Sequence, residues 1–330
     1  MAYFQLCNIF AKKISRMRIV GLGNALTDVL ARLHSDECFD EMGLLKGGMQ
    51  LIDEEKLLRI MSVFEGLETT LASGGSAANA VSGVARMGIE SGFIGKIGRD
   101  AYGRFFREDM ERNGVQTLLI EGEQASGCAM TMITPDGERT FGTFLGAAAT
   151  LCAEELSAEM FEGYDILHIE GYLVQDTSLI LRAVQLAKEA GLSVSFDMAS
   201  YNVVKDNYAI IRDLAYTGEE PRKATEILSR YCRIAVVKCG AQGSFVGCEG
   251  IITEVPATPE VRVDSTGAGD LYASGFLYGL SQNCSLGVCG AIGSLLAGRV
   301  IKVIGTKMSD EIWTEIKLKV SSMVAEDIRH

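Results

Sequence analysis

The chain has 330 residues, 48% of them hydrophobic, and a formal charge of −12. That length suits one large α/β domain with a small appendage, and the acidity argues against a general nucleic-acid binder, which needs clustered Lys and Arg to neutralise phosphates. Nine cysteines without a CxxC pair, beside only three histidines, argue against a zinc site and fit reduced, mostly buried thiols of a cytoplasmic protein. No apolar run reaches the roughly 18 residues of a membrane span. The N-terminal "MAYFQLCNIFAKKISRMRIVGLG" lacks the h-region and cleavage site of a signal peptide, and its first sixteen residues read as an extension or a short arm.

In chain order, residues 18–22 read as a buried strand ending in Gly23-Asn24, and 27–33 as a more exposed one. Residues 54–64 have helical spacing. "SGGSAAN" (73–79) leads into a helix of small residues at 80–87. Residues 91–97 form a strand between glycines, and 102–113 an amphipathic helix stopped by Gly114. Residues 127–134 and 139–145 alternate around the turn Pro135-Asp136-Gly137-Glu138, a hairpin. Then come strands at 165–169 and 192–196 around a helix at 177–190 closed by Gly191. Further strands fall at 234–238, 243–246 and 251–253. The segment "VRVDSTGAGDLYASGFLYGL" (261–280) runs into a helix, followed by helices at 286–301 and 310–323. Short apolar strands alternating with helices predict a parallel sheet covered on both faces. The alternating segments 28–50 and 117–144 read instead as a small antiparallel lid.

In open parallel sheets ligands bind beyond the carboxyl ends of the strands. Asn24, Asp28, Asn79, Glu170, Asp197, Asp264 and Asp270 are the polar residues expected there. The turn from Asp264 to Asp270 carries a physical signature. A helix starting near Asp270 leaves its first N–H groups without intrahelical partners, and its dipole favours negative charge. Gly267, Ala268 and Gly269 let an anion approach them closely, which makes an anion hole, and Asp270 beside it could accept a proton. The plainer alternative is a glycine-rich turn whose aspartate caps the helix. Other phosphate and hydrolase motifs are absent: there is no GxxxxGK[ST], no third Rossmann glycine after Gly21-Leu22-Gly23, and no GxSxG or HExxH.

Several ordered motifs resemble the ribokinase-like carbohydrate and nucleoside kinases, the PfkB family, over residues 17–323. "DSTGAGD" with "LYASGFLYGL" is similar to its C-terminal signature, and "SGGSAANAVSGVARMG" with "GFIGKIGRDAYGRFF" to its N-terminal one. "GNALTDVL", "GGMQLID", "HIEGYLV" and "FDMASYNVV" lean toward the adenosine-kinase-like branch. The resemblance implies a three-layer α/β/α sandwich with a mostly parallel sheet and a small antiparallel β lid. Residues 1–27, 51–116 and 145–330 would form the nucleotide-binding core, and 28–50 with 117–144 the lid.

The implied reaction moves a phosphoryl group from ATP, with Mg²⁺, to a primary hydroxyl of a nucleoside or sugar, with adenosine or a similar ribofuranoside as first choice. The alternatives are a ribokinase- or fructokinase-type sugar kinase and a non-catalytic sensor. By resemblance Asp270 is the base and Gly267, Ala268 and Gly269 the anion hole. Asp28, Asn24, Gly48, Met49, Asn79 and Glu170 bind substrate, and Phe141 and Phe144 either cover it or pack the lid. Lys238, Gly240, Gly243, Ala291, Leu295 and Gly298 contact the nucleotide. Asp264, Thr266, Val300, Val303, Gly305 and Ser309 hold a monovalent cation, K⁺. No nucleic-acid or membrane partner is expected, and a homodimer would pair through the lid. The family's N-x-x-E motif, which helps hold Mg²⁺, is missing between residues 197 and 240. That interval reads one strand short near Leu214-Ala215, so no Mg²⁺ residue is assigned.

Overall fold

The computed structural model describes residues 17–199 and 220–329. The chain opens with two strands, β1 (Ile19–Leu22) and β2 (Leu26–Arg32), then a short helix α1 (Cys38–Met42), β3 (Met49–Leu51), α2 (Glu54–Phe64) and β4 (Thr69–Gly74). Next come α3 (Ser76–Arg86), β5 (Ser91–Gly98), α4 (Ala101–Arg112), β6 (Val115–Gly122), and the hairpin β7 (Gly127–Ile133) and β8 (Arg139–Phe144). After 3-10 turns follow β9 (Ile166–Glu170), α5 (Thr177–Glu189) and β10 (Ser193–Asp197). The last third holds α6 (Pro221–Leu228), β11 (Ala235–Lys238), β12 (Ser244–Cys248), β13 (Ile251–Val255), α7 (Ala268–Ser281), α8 (Leu286–Val300) and α9 (Asp310–Asp327).

The central sheet is parallel throughout, in the order β10-β9-β1-β5-β6. β1 and β5 are buried on both faces, as the near-continuous apolar runs predict. Ile19 and Phe93 face a core shared with α3, α4 and Leu277 of α7. Val20, Leu22 and Ile94 face the opposite core, with Leu179, Ala183 and Leu186 of α5. This is the three-layer α/β/α sandwich expected. A separate antiparallel sheet, β11-β12-β13, packs on α7 and α8 through Val246, Val255, Tyr272 and Cys289.

α7 and α8 lie backbone to backbone. A Cβ on Gly275 would stand 2.6 Å from the carbonyl oxygen of Ile292, and one on Gly293 2.8 Å from that of Tyr272. The small-residue composition of both helices is therefore a packing requirement as well as a propensity.

The third sheet has the order β3-β8-β7-β2-β4. Its pairing corrects the expectation in three ways. β2/β7 and β3/β8 are parallel, and only β2/β4 and β7/β8 antiparallel. The chain leaves this sheet after β4, builds α3 to β6, and re-enters at β7 running in the direction of β2. β4 was not foreseen: its first three residues are exposed and two of them are threonines. β6, placed in the lid from the sequence, extends the central sheet instead. One face of the small sheet is filled by Val29, Ala31, Met130 and Met132 against α1 and α2.

No helix of the described residues is long and apolar enough to cross a membrane. The junction at Leu214-Ala215 and the first sixteen residues lie outside the described residues.

Candidate active site

The helix pair α3/α7 assembles the centre of the site. Ser76 and Asn79, one helical turn apart on α3, share a face. Ser76 Oγ donates to Asp270 Oδ1 at 2.8 Å and Asn79 Nδ2 to Oδ2 at 2.9 Å. Asp270 lies in the first turn of α7, directly after Gly267, which has φ 73° at the N-cap. That left-handed conformation is glycine's natural territory, and a Cβ there would also stand 2.4 Å from Thr306 Cγ2. Burial pushes the Asp270 carboxyl up to about 6, against the two hydrogen bonds, which favour its ionised form. The expected base and the residues of the expected anion hole thus sit at one helix mouth. Ser76 is a site residue the sequence analysis passed over, although it stands three positions before Asn79 in the same motif.

The start of α3 is set by a buried bracket. Glu170, at the end of β9 and 1% exposed, accepts from Asn24 N (2.8 Å) and Nδ2 (2.6 Å) on one oxygen and from Ala77 N (3.0 Å) on the other. A carboxylate at a helix N-terminus is favoured by the dipole. Asn24 and Glu170 were expected to touch substrate. Both are buried, and the Glu170 carboxylate is engaged by Asn24 and by the start of α3, so the structure gives them a bracing role. Burial lifts the Glu170 carboxyl to about 7 despite these hydrogen bonds.

Gly75 lets the backbone close against Asn24, and Gly74 leaves room for Asp28. A Cβ on Gly74 would meet Asp28 Oδ1 at 2.4 Å, and one on Gly75 (φ 98°) the Asn24 carbonyl oxygen at 2.2 Å.

Asp28 lies on β2, and burial pushes its carboxyl up to about 7, with Lys307 restraining the rise and Asp270 adding to it. Strand register places its neighbours. Asp28 pairs with Ala129, Thr131 two residues on pairs with Phe141, and Phe141 pairs with Met49. Side chains alternate along a strand, so Asp28, Thr131, Phe141 and Met49 share the face opposite α1 and α2. Met49 is 51% exposed, and Gly48 accepts from Phe141 N at 2.9 Å just before it. Phe144 instead packs into the small sheet's own core. Lys307 was also missed. Its Nζ donates to Ser73 Oγ at 2.7 Å and stands 3.3 Å from Asp109 Oδ2, tying the loop before α9 to β4 and α4.

On the other side of the helix mouth, Lys238 at the end of β11 pairs with Asp197 at the end of β10, Nζ to Oδ2 at 2.8 Å. Burial opposes ionisation of Asp197, but this ammonium holds its carboxyl below the ordinary value. A Cβ on Gly269 would be 3.2 Å from Lys238 Nζ, which places the ammonium beside the first turn of α7. Gly240 (φ 57°) and Gly243 (φ 92°) close the β11–β12 turn, with Cys239 N donating to Gly243 O at 2.7 Å.

The α8 residues behave otherwise. Leu295 is 6% exposed and packs with Leu271 and Trp313. Gly298 faces Thr258, and Ser294 Oγ donates to Pro256 O at 2.9 Å and accepts from Thr258 N at 2.8 Å. The segment 256–258 covers this face, so Leu295 and Gly298 do not line an open nucleotide wall. Ala291 stays partly exposed.

The residues expected to hold a monovalent cation are engaged with one another and with the lid. Asp264 is 7% exposed. Its Oδ1 accepts from Thr266 N (3.1 Å) and Oγ1 (2.8 Å), and its Oδ2 from Gly305 N (2.7 Å) and from the guanidinium of Arg139. A carboxylate has about four lone-pair sites, and four donors fill them. The Val300 carbonyl accepts from Val303 N at 3.1 Å, and the Ser309 hydroxyl caps α9. These residues do not fit a cation held by Asp264.

A parallel sheet with a glycine-bordered helix mouth, an aspartate at that mouth and a second sheet carrying Asp28 defines a small-molecule enzyme of the ribokinase-like kind. The chain belongs to the pfkB family of carbohydrate kinases, whose family model matches residues 42–313. It is similar to the adenosine kinase from Sinorhizobium meliloti (30% identity, TM-score 0.79, 92% of this chain and 100% of that one). It is equally similar to a probable sugar kinase protein from Rhizobium etli CFN 42 (29%, TM-score 0.78, 94% and 100%). A fructokinase from Klebsiella pneumoniae is 30% identical over 240 residues, 64% of this chain and 77% of its own length. Family membership supports phosphoryl transfer to a sugar or nucleoside hydroxyl and the binding of ATP.

Proposed function

We propose that this chain transfers the γ-phosphoryl group of ATP to a primary hydroxyl of a ribofuranosyl substrate, a nucleoside such as adenosine before a plain sugar. The observation that carries the reading is Asp270, held by Ser76 and Asn79 in the first turn of α7 after the left-handed Gly267. In this reading Asp270 takes the hydroxyl proton, the oxygen attacks phosphorus, and the bond to the ADP oxygen breaks. Gly267, Ala268 and Gly269 offer N–H groups to the transferring group, and the chemistry is mainly positioning and charge stabilisation.

Lys238 supplies a further positive charge on the phosphate side. Mg²⁺ when bound neutralises the polyphosphate. Such an ion keeps waters and substrate phosphates as most of its ligands. The β2-β3-β4-β7-β8 sheet acts as the lid, with Asp28 accepting from ribose hydroxyls and Phe141 and Met49 offering an apolar surface for a base. The exposed Met49–Leu51 edge is where a second copy would pair.

Two outcomes follow. Asp28→Ala is expected to lower kcat/KM by about 10- to 100-fold, mainly through KM, since one carboxylate hydrogen-bonded to substrate is lost. A coupled ADP-release assay over nucleosides and sugars tests the substrate class, and turnover of no nucleoside removes the first choice. The second reading, a sugar kinase, is favoured by the fructokinase likeness, and preference for free hexose or ribose in the same assay would select it. ATP binding without ADP release on any acceptor would point to a sensor.

A further inference from the structure

We infer that Arg139 takes, at Asp264, the place a monovalent cation would hold, and that this ion pair seats the lid hairpin on the anion-hole turn, so that the enzyme works without K⁺. The inference deepens the kinase reading above and rests on it for its consequence in catalysis.

Arg139 opens β8, directly after the turn Pro135–Glu138, and its partner lies three residues before Gly267. The pair is well enclosed, with side chains 14% and 5% exposed. Ion pairs out of water hold only when the remaining lone pairs are satisfied. Here they are, by Thr266 and Gly305.

Both partners are fixed from behind. On the core side, Asp264 N donates to Ile301 O at 3.0 Å. On the lid side, Thr134 N and Gly137 N close the turn onto Glu138 O (3.0 Å) and Thr134 O (2.8 Å). Lys46 reaches from the neighbouring loop to Asp136 and Asp36, 2.6 Å each, with Glu138 at 3.7 Å. With Gly47 N donating to Thr140 Oγ1 (2.9 Å) and Phe141 N to Gly48 O (2.9 Å), the hairpin is joined to the segment before β3, and it carries Arg139. The guanidinium differs from a free ion in one respect: it arrives with the lid. Positive charge beside the anion hole is complete only when the hairpin is seated, which links closure over the substrate to readiness for phosphoryl transfer.

The test needs no substrate. Ligand-free wild type is melted at equal ionic strength in KCl and in choline chloride. The expected result is the same Tm in both, within about 1 °C. A K⁺-specific rise in the wild-type Tm overturns the inference. Arg139→Gln and Asp264→Asn are each expected to lower Tm, and the double variant to be no worse than the weaker single one. Additive losses overturn it, because they show that the two residues act apart. Arg139→Gln, with Asp264 opened, is expected to gain a K⁺ response that wild type lacks.

Turnover of the substrate identified by the acceptor panel adds a second readout. It is expected to agree within about twofold between the two salts. A loss in choline of roughly tenfold or more overturns the cation independence. If the panel finds no substrate, the kinase reading fails while the melting experiments still decide the ion pair.

Discussion

Asp270→Asn is expected to lower kcat by roughly three orders of magnitude, the usual worth of a positioned general base, while making the ligand-free protein more stable at pH 8. The two effects share a cause. Burial raises this carboxyl from 3.8 to about 6, so its ionised form is a cost to the folded state. The sign follows from linkage: with the folded pKa above the unfolded one, the folded state binds the proton more tightly between pH 4 and 6 and gains stability as pH falls. Above pH 6 the charge is present and the cost is full, on the order of 1–3 kcal/mol at about 1.4 kcal/mol per unit. The asparagine variant is relieved of it, and its advantage should shrink as pH drops through 6. Urea melts of both proteins at pH 8 and pH 5 measure this, and a variant less stable at pH 8 would contradict the assignment. For wild type, kcat/KM should fall as pH drops through 7 and then 6, as Asp28 and then Asp270 take up protons. His168 pulls stability the other way. Burial keeps it neutral down to about 4, so the unfolded state gains protons below 6.5, which is why the comparison of variant with wild type is the cleaner experiment.

Gly75→Ala should cost on the order of 3 kcal/mol or more and remove most activity. Its φ of 98° is strained for any L side chain, and the new Cβ would stand 2.2 Å from the Asn24 carbonyl oxygen. Backbone cannot swing away as a flexible side chain can. The displacement would pass to the first turn of α3, and so to Ser76 and Asn79 on Asp270. Gly66→Ala is the control: φ is 82° with nothing within 4 Å of the added carbon, so only the conformational cost, about 1 kcal/mol, is expected. Equal losses in the two variants would show that the close approach at Gly75 does not matter.

Local signals made much of the fold readable. Asp53 caps α2 through Lys56 N and Asp100 caps α4 through Gly103 N, and both helices were placed to within a residue or so. The left-handed glycine before Asp270 was foreshadowed by the small residues of its turn. What escaped was decided at long range. β6 alternates like a lid strand, but its partner is β5, and no local pattern names a partner. Leu295 could not be aimed from the sequence because α8 is apolar all round, and a helix without a polar face gives no direction. The ion pair of Arg139 with Asp264 joins two segments that only the folded chain brings together. It replaced an expected cation site whose ligands had all been carried over from the resemblance.

The backbone contact between α7 and α8 has a consequence for how such an enzyme changes. With Gly275 against Ile292, α7 has no side-chain layer there to repack, so the helix mouth at Asp270 is a fixed machine part. In the function proposed above, acceptor choice lies elsewhere, on the sheet face that carries Asp28, Thr131, Phe141 and Met49. Variation can therefore be confined to that face while the phosphoryl chemistry is left untouched. A redesign of acceptor specificity should accordingly draw its library from those strands and leave the two glycine-rich helices alone.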